Sequence, residues 1–220
     1  MIPLLRAGSL AVNGALFLGA PLLAGVPFPG AAAIAAALFA ASWWACGRAP
    51  GASPAPPEVI AAAERVARRM GAPPPRGVRS VAGWTAAAFR ARDGYGILLG
   101  RDVEEPHREA VLAHEIAHYV RGDLFWEPWT DGPARILAGA ATRVPPLWVI
   151  ALPFLFIAAP LARATELAAD RLAAGCVSSY PAVLSEVALK MGGGQTLFYP
   201  ALHVRVRHAA RHSKEGGVKG

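Results

Sequence analysis

Cysteine is almost absent from this chain: two in 220 residues, Cys46 and Cys176. They lie far apart and show no C-x-x-C spacing, which argues against a disulfide framework and against a thiolate zinc site. Charge is scarce too. Charged residues make up 17% of the chain, and none falls within 7–46 or within 144–162. Aromatic residues are 8% and do not interleave with the scattered arginines. A nucleic-acid face is therefore not expected, despite a formal charge of +7. That charge suits an anionic membrane surface better.

Hydrophobic residues are abundant instead, at 54%, and the mean hydropathy is positive. That is too apolar for an ordinary soluble domain of this length. The uncharged stretch 7–46 has room for two spans of about 20 residues each, divided at Val26-Pro27-Phe28-Pro29-Gly30. It predicts a transmembrane hairpin within 1–46, with spans at about 7–26 and 28–46, and with Trp43 and Trp44 at an interface. A signal peptide followed by one span is the competing reading. Against it, the first apolar run exceeds a usual h-region and no small-x-small site precedes the turn. Arg6 and Arg48 flank the hairpin, which places 47–123 on the cytoplasmic side.

Residues 47–76 read as a Pro/Gly/Ala linker and an amphipathic helix at 58–70. Val59, Ala62, Ala63, Val66 and Met70 share one face of that helix. Its Arg65, Arg68 and Arg69 suit either a membrane surface or solvent. Short strands are expected at 78–81, 84–90 and 95–99, with Arg92-Asp93-Gly94 as a hairpin turn. Such a sheet offers an edge to an extended peptide. Residues 124–162 are expected as an apolar membrane insert, either a hairpin or distorted span turning at Arg143-Val144-Pro145-Pro146, or a single crossing by 144–162. The segment 163–211 reads as a glutamate-bearing helix and the C-terminal part of the domain that starts at 77, and 212–220 as a polar, disordered tail.

Residues 109–123, EAVLAHEIAHYVRGD, organise the rest. Pro106 suits the first turn of a helix and Gly122 its stop. Apolar Val111, Leu112, Ile116 and Val120 mark a largely buried helix. His114 and His118 are i,i+4 and share a face, so two neutral imidazoles can hold one zinc ion. Glu115 sits one residue round, within reach of a metal-activated water as general base. The segment 161–174 reads as another helix, with Glu166 and Asp170 at i,i+4. This pair is either a solvated stripe or a third zinc ligand, Glu166, with Asp170 behind a ligand histidine. Next to H-E-x-x-H the second reading is the stronger.

These motifs resemble the integral-membrane zinc metallopeptidases of the HtpX and CAAX-prenyl-protease type. The likeness runs through 109–118 and Gly122-Asp123, and resumes at Arg163-Ala164-Thr165-Glu166-Leu167-Ala168-Ala169-Asp170, similar to the R-x-x-E-x-x-A-D of that family. Ala88-Phe89 resembles its N-A-F segment, with Ala87 at the asparagine position. Ala162 and Thr165 depart from the usual serine and second arginine. The C-terminal H-P-x-x-x-x-R-like element is hinted at by His203 and Arg207.

The resemblance implies a mainly α membrane protein, with transmembrane helices and a small α+β gluzincin domain carrying a short β-sheet. It implies one Zn²⁺ per chain on His114, His118 and Glu166, with Glu115 as base. For peptide hydrolysis at such a site, His203, Arg207 and Tyr199 are the candidate oxyanion or substrate contacts. The expected activity is hydrolysis of peptide bonds in membrane-associated or misfolded proteins. The expected location is a bacterial-type inner membrane, multi-pass, with the catalytic domain facing the cytoplasm. Expected partners are a peptide or protein substrate and the lipid bilayer, with no nucleic acid. A signalling component acting with a partner protein and a non-catalytic zinc-binding scaffold are the alternatives.

Overall fold

A computed structural model describes residues 2–23, 25–45, 52–130, 132–190 and 200–213. In chain order the elements are α1 (Ile2–Leu23), α2 (Phe28–Ala45), β1 (Ser53–Pro54), α3 (Pro57–Arg69), β2 (Gly77–Val81), β3 (Ala86–Ala91), β4 (Gly94–Gly100), α4 (Glu105–Val120), α5 (Asp123–Trp126), α6 (Gly132–Ala141), a 3₁₀ turn (Pro145–Leu147), α7 (Trp148–Cys176), α8 (Tyr180–Lys190) and α9 (Leu202–Ser213). They divide into two units: 1–47 with 125–164, and 48–124 with 165–220.

The second unit carries the sheet, in the order β1-β2-β4-β3. β3 and β4 form the expected antiparallel hairpin, with Ala88 opposite Ile97 and Phe89 opposite Gly96. β2 runs parallel to β4, and Ser53 and Pro54 add an antiparallel edge where only linker was expected. β2 and β4 are the inner strands, and Tyr95, Ile97 and Leu99 are buried on β4. Gly96 leaves room for the Phe89 ring, into which a Cβ there would run.

α3 forms as its pattern predicts. Pro57 opens it, Glu58 lies in its first turn and Arg68 and Arg69 in its last, all favourable to the helix dipole. Val59, Ala62, Ala63, Val66 and Ala67 are buried on its inner face. They join Leu112, Ala113 and Ile116 of α4 and the β4 side chains in one core. Burial of each of the larger residues is worth about 1.5–3 kcal/mol. On the surface, Arg69 meets Glu109 at 2.7 Å; exposed as it is, that pair contributes little. The arginine side of α3 thus makes ion pairs with Glu64 and Glu109.

In the first unit, α1 turns polar groups inward. Asn13 Nδ2 donates to the carbonyl oxygens of Trp129 (2.9 Å) and Thr130 (2.6 Å), and Ser9 Oγ donates to that of Thr130 (3.3 Å). Phe39 of α2 packs against Trp129, and Arg6 lies over the Trp126 ring.

The transmembrane architecture expected from sequence is corrected here. Among the described residues no helix is long and apolar enough to cross a membrane, so neither the spans at 7–26 and 28–46 nor a multi-pass location stands. Absence of charge is not the same as lipid solubility. α2 is half alanine, which gains little on leaving water, and α1 spends one face on Ser9 and Asn13. The insert 124–162 breaks into α5, a ten-residue α6, the 3₁₀ turn and the start of α7. α7 has 29 residues, but its later turns carry Arg163, Glu166, Asp170 and Arg171. The fold is a small α+β one with a four-stranded sheet. The side chains of Trp43 and Trp44, and all of Cys46, lie outside the described residues. Of the expected tail, His212 and Ser213 form the last turn of α9, and 214–220 lie outside the description.

Candidate metal centre

α4 begins at Glu105 with Pro106 in its first turn and ends at Val120, capped by Arg121. Gly122, at φ +71°, then takes a left-handed conformation that favours glycine and turns the chain so that Asp123 comes back towards the helix. His114 and His118 stand on the same face, their rings edge to face with centroids 4.8 Å apart. Their Nε2 atoms are 3.2 Å apart. α7 brings Glu166 to them: Oε2 lies 3.3 Å from His114 Nε2, and Oε1 lies 3.7 Å from His118 Nε2. The three side chains are between 10% and 13% exposed.

This triangle fits a small divalent cation. Tetrahedral ligands about 2.0–2.1 Å from zinc stand roughly 3.4 Å from one another; the edges here are 3.2, 3.3 and 3.7 Å. Two imidazoles and a carboxylate form the donor set of an open zinc site. Glu166 Oε2 is buried, and among the described residues no donor meets it at hydrogen-bond geometry. Among the described residues this is the one group of three ligand-type side chains close enough to hold a metal ion.

A layer of partners orients the donors. His118 Nδ1 lies 3.0 Å from Asp123 Oδ2, which also receives Arg121 Nε at 3.0 Å. His114 Nδ1 lies 3.1 Å from Asp170 Oδ1 and 3.0 Å from the Tyr180 hydroxyl, which in turn donates to Asp170. Asp170 is fully buried and held by the fork of Arg205, Nε to Oδ2 at 2.8 Å and Nη2 to Oδ1 at 2.7 Å. Arg205 Nη2 also stands 3.3 Å from Glu166 Oε2. Glu115 is buried beside them, and its Oε2 accepts a hydrogen bond from Ala88 N of β3 at 2.7 Å.

The electrostatics follow from this layout. Burial opposes the charged form of His114, but the Asp170 and Glu166 carboxylates overcome it and raise its pKa to about 10. His118 is raised too, against burial, mainly through Asp123. Burial would raise Glu166, yet His114, His118 and Arg205 bring it down to about 2. Asp170 is held well below the usual carboxylate range by Arg205 and His114, again against burial. Burial, with Asp170 next, pushes the Tyr180 phenol well up.

His114, Glu115, His118, Glu166 and Asp170 are thus brought together, as the sequence motifs suggested. His203 and Arg207 are not: both are exposed on the outer face of α9. Tyr199 lies outside the described residues. Sequence reasoning missed Tyr180 and Arg205 and gave Asp123 no role. Arg205 was legible in principle. It shares the inward face of α9 with Leu202, Val206 and Ala209, and it follows Pro200 at the spacing of the P-x-x-x-x-R element sought two residues later. Comparison of the chain with protein-family models, with curated proteins and with solved structures returned no match.

Proposed function

We propose that the chain is a zinc-dependent peptidase, with His114, His118 and Glu166 as ligands and Glu115 as general base. The observation that carries this reading is the three-donor triangle with a buried carboxylate, Glu115, on the residue next to a ligand. A zinc ion held there would polarise a substrate carbonyl and make water acidic enough to attack it near neutral pH. Glu115 Oε2 is anchored by Ala88 N, which leaves Oε1 to accept a proton from the attacking water and pass it to the leaving amine. His118 and His114 keep their Nδ1 atoms on carboxylates, which orients Nε2 of each towards Glu166. β3 is an outer strand of the sheet, so an extended peptide has backbone to pair with next to Glu115.

The test is hydrolysis of an unstructured protein substrate by zinc-loaded enzyme, wild type beside Glu115→Gln. Loss of cleavage with zinc retained supports the assignment; cleavage by the variant at the wild-type rate refutes it. A non-catalytic zinc scaffold is the reading that this experiment separates. Such sites are usually closed by four protein ligands, whereas three converge here among the described residues.

A lipid surface is the proposed place of work. Among the described residues, large apolar side chains left exposed fall mostly in the first unit, among them Leu4 (80%), Phe28 (63%), Val149 (77%) and Phe156 (76%). Concentrated exposure of this kind marks an interaction surface more than a solvated one, and the charge of +7 favours an anionic bilayer. Co-flotation with vesicles containing phosphatidylglycerol, absent with vesicles of neutral lipid at high salt, is the expected behaviour. No flotation with either would remove this part of the proposal.

A further inference from the structure

Tyr180 opens α8 and is buried, with its ring nearly parallel to that of His114, 9° between planes and 6.3 Å between centroids. Its hydroxyl touches two groups, Asp170 Oδ1 and His114 Nδ1. A phenol has one proton to give. Asp170, ionised by the Arg205 fork, can only accept, so that proton goes to Asp170. The phenol oxygen then offers His114 nothing but lone pairs. Asp170 Oδ1, 3.1 Å from the same nitrogen, likewise only accepts, and it already receives Tyr180 and Arg205. Nδ1 must therefore bring the proton. In neutral His114 the free lone pair is then on Nε2, the atom that faces Glu166 and His118.

We propose that Tyr180 is a positioning residue. Backed by Asp170 and Arg205, it fixes His114 in the Nδ1–H form and in its ring plane, and so presents Nε2 to the metal. The inference rests on the zinc reading above. It adds that metal affinity depends on a phenol that touches no metal, and that Tyr180 is part of the site.

The experiment uses the full chain loaded with zinc, with histidine labelled by ¹⁵N, as wild type and as Tyr180→Phe, which keeps the ring and removes only the hydroxyl. Chelator competition gives the zinc affinity, and long-range ¹H–¹⁵N spectra show which ring nitrogen of His114 carries the proton. The expected result is a wild-type proton on Nδ1, and in Tyr180→Phe a zinc affinity weaker by about 10–100-fold with faster exchange of that proton. A zinc affinity within about twofold of wild type in the variant, or a wild-type proton on Nε2, overturns the proposal. Should Tyr180→Phe not fold, fluorotyrosine incorporated into the wild-type sequence, which weakens the phenol oxygen as an acceptor, takes its place, and a zinc affinity unchanged by it overturns the proposal. Wild type that takes up no zinc removes the metal reading and this inference together; wild type that binds zinc beside an equally tight Tyr180→Phe removes only the role of Tyr180.

Discussion

The backbone amide of Ala88 donates to Glu115 Oε2 at 2.7 Å, so an outer strand of the sheet holds the carboxylate of the motif helix. One oxygen of Glu115 is fixed by main chain rather than by a side chain, so no side-chain truncation at residue 88 removes the bond. Proline does. Ala88→Pro on an outer strand is tolerable to the fold and leaves Glu115 without its donor. The expected outcome is zinc content unchanged and kcat lower by about 10²-fold, the scale of a small misplacement of a reacting group. Steady-state kinetics beside zinc analysis checks it, and an unaltered kcat would show that Ala88 does not orient the base.

Asp123 is expected to act on the metal through His118. Its Oδ2 sits 3.0 Å from His118 Nδ1, and Gly122 supplies the turn that brings it there. Asp123→Ala should weaken zinc by about 10–100-fold. Isothermal titration against a competing chelator reads this directly; zinc binding as tight as wild type would assign Asp123 to the Arg121 ion pair alone.

The pH dependence of the metal-free protein has two edges. Glu166 is depressed from 4.5 to about 2, so the stability it contributes is full above pH 4.5 and disappears as pH falls through 2. His114 is raised from 6.5 to about 10, so its contribution is full below pH 6.5 and disappears as pH rises through 10. Metal-free protein is therefore expected to be most resistant to urea between pH 4.5 and 6.5. Zinc requires neutral His114 and competes with that proton. Its apparent affinity should rise by up to about tenfold per pH unit between 6.5 and 10. Urea melts with and without zinc across that range test both signs; a zinc increment independent of pH contradicts them.

The hairpin beside the site has its own test. Gly96→Ala places a methyl group into the Phe89 ring, and overpacking of this kind costs about 1–3 kcal/mol. Adding Phe89→Leu should return most of that loss. Urea unfolding of both variants measures it, and a neutral Gly96→Ala would mean that the ring moves aside freely.

The candidate metal site was legible because helical periodicity alone puts residues 114 and 118 on one face, and residues 166 and 170 on another. The β3–β4 hairpin was legible from Asp93-Gly94 between apolar runs. What could not be read were relationships between distant segments: β1 as an outer strand, the parallel pairing of β2 with β4, and Tyr180 and Arg205 converging on Asp170. The membrane spans were misread for a different reason. A count of uncharged residues treats alanine and leucine as equals, and it hides Ser9 and Asn13, which are buried on carbonyl oxygens of 129 and 130 rather than facing lipid.

The central claim is that residues from α4 and α7 share one metal ion. Zinc content of the purified chain, measured after loading and desalting for wild type, Glu115→Gln and Glu166→Gln, tests it most directly. The expected result is close to one zinc per chain in wild type and in Glu115→Gln, and loss in Glu166→Gln. Wild type without zinc, or Glu166→Gln retaining it in full, would contradict the claim.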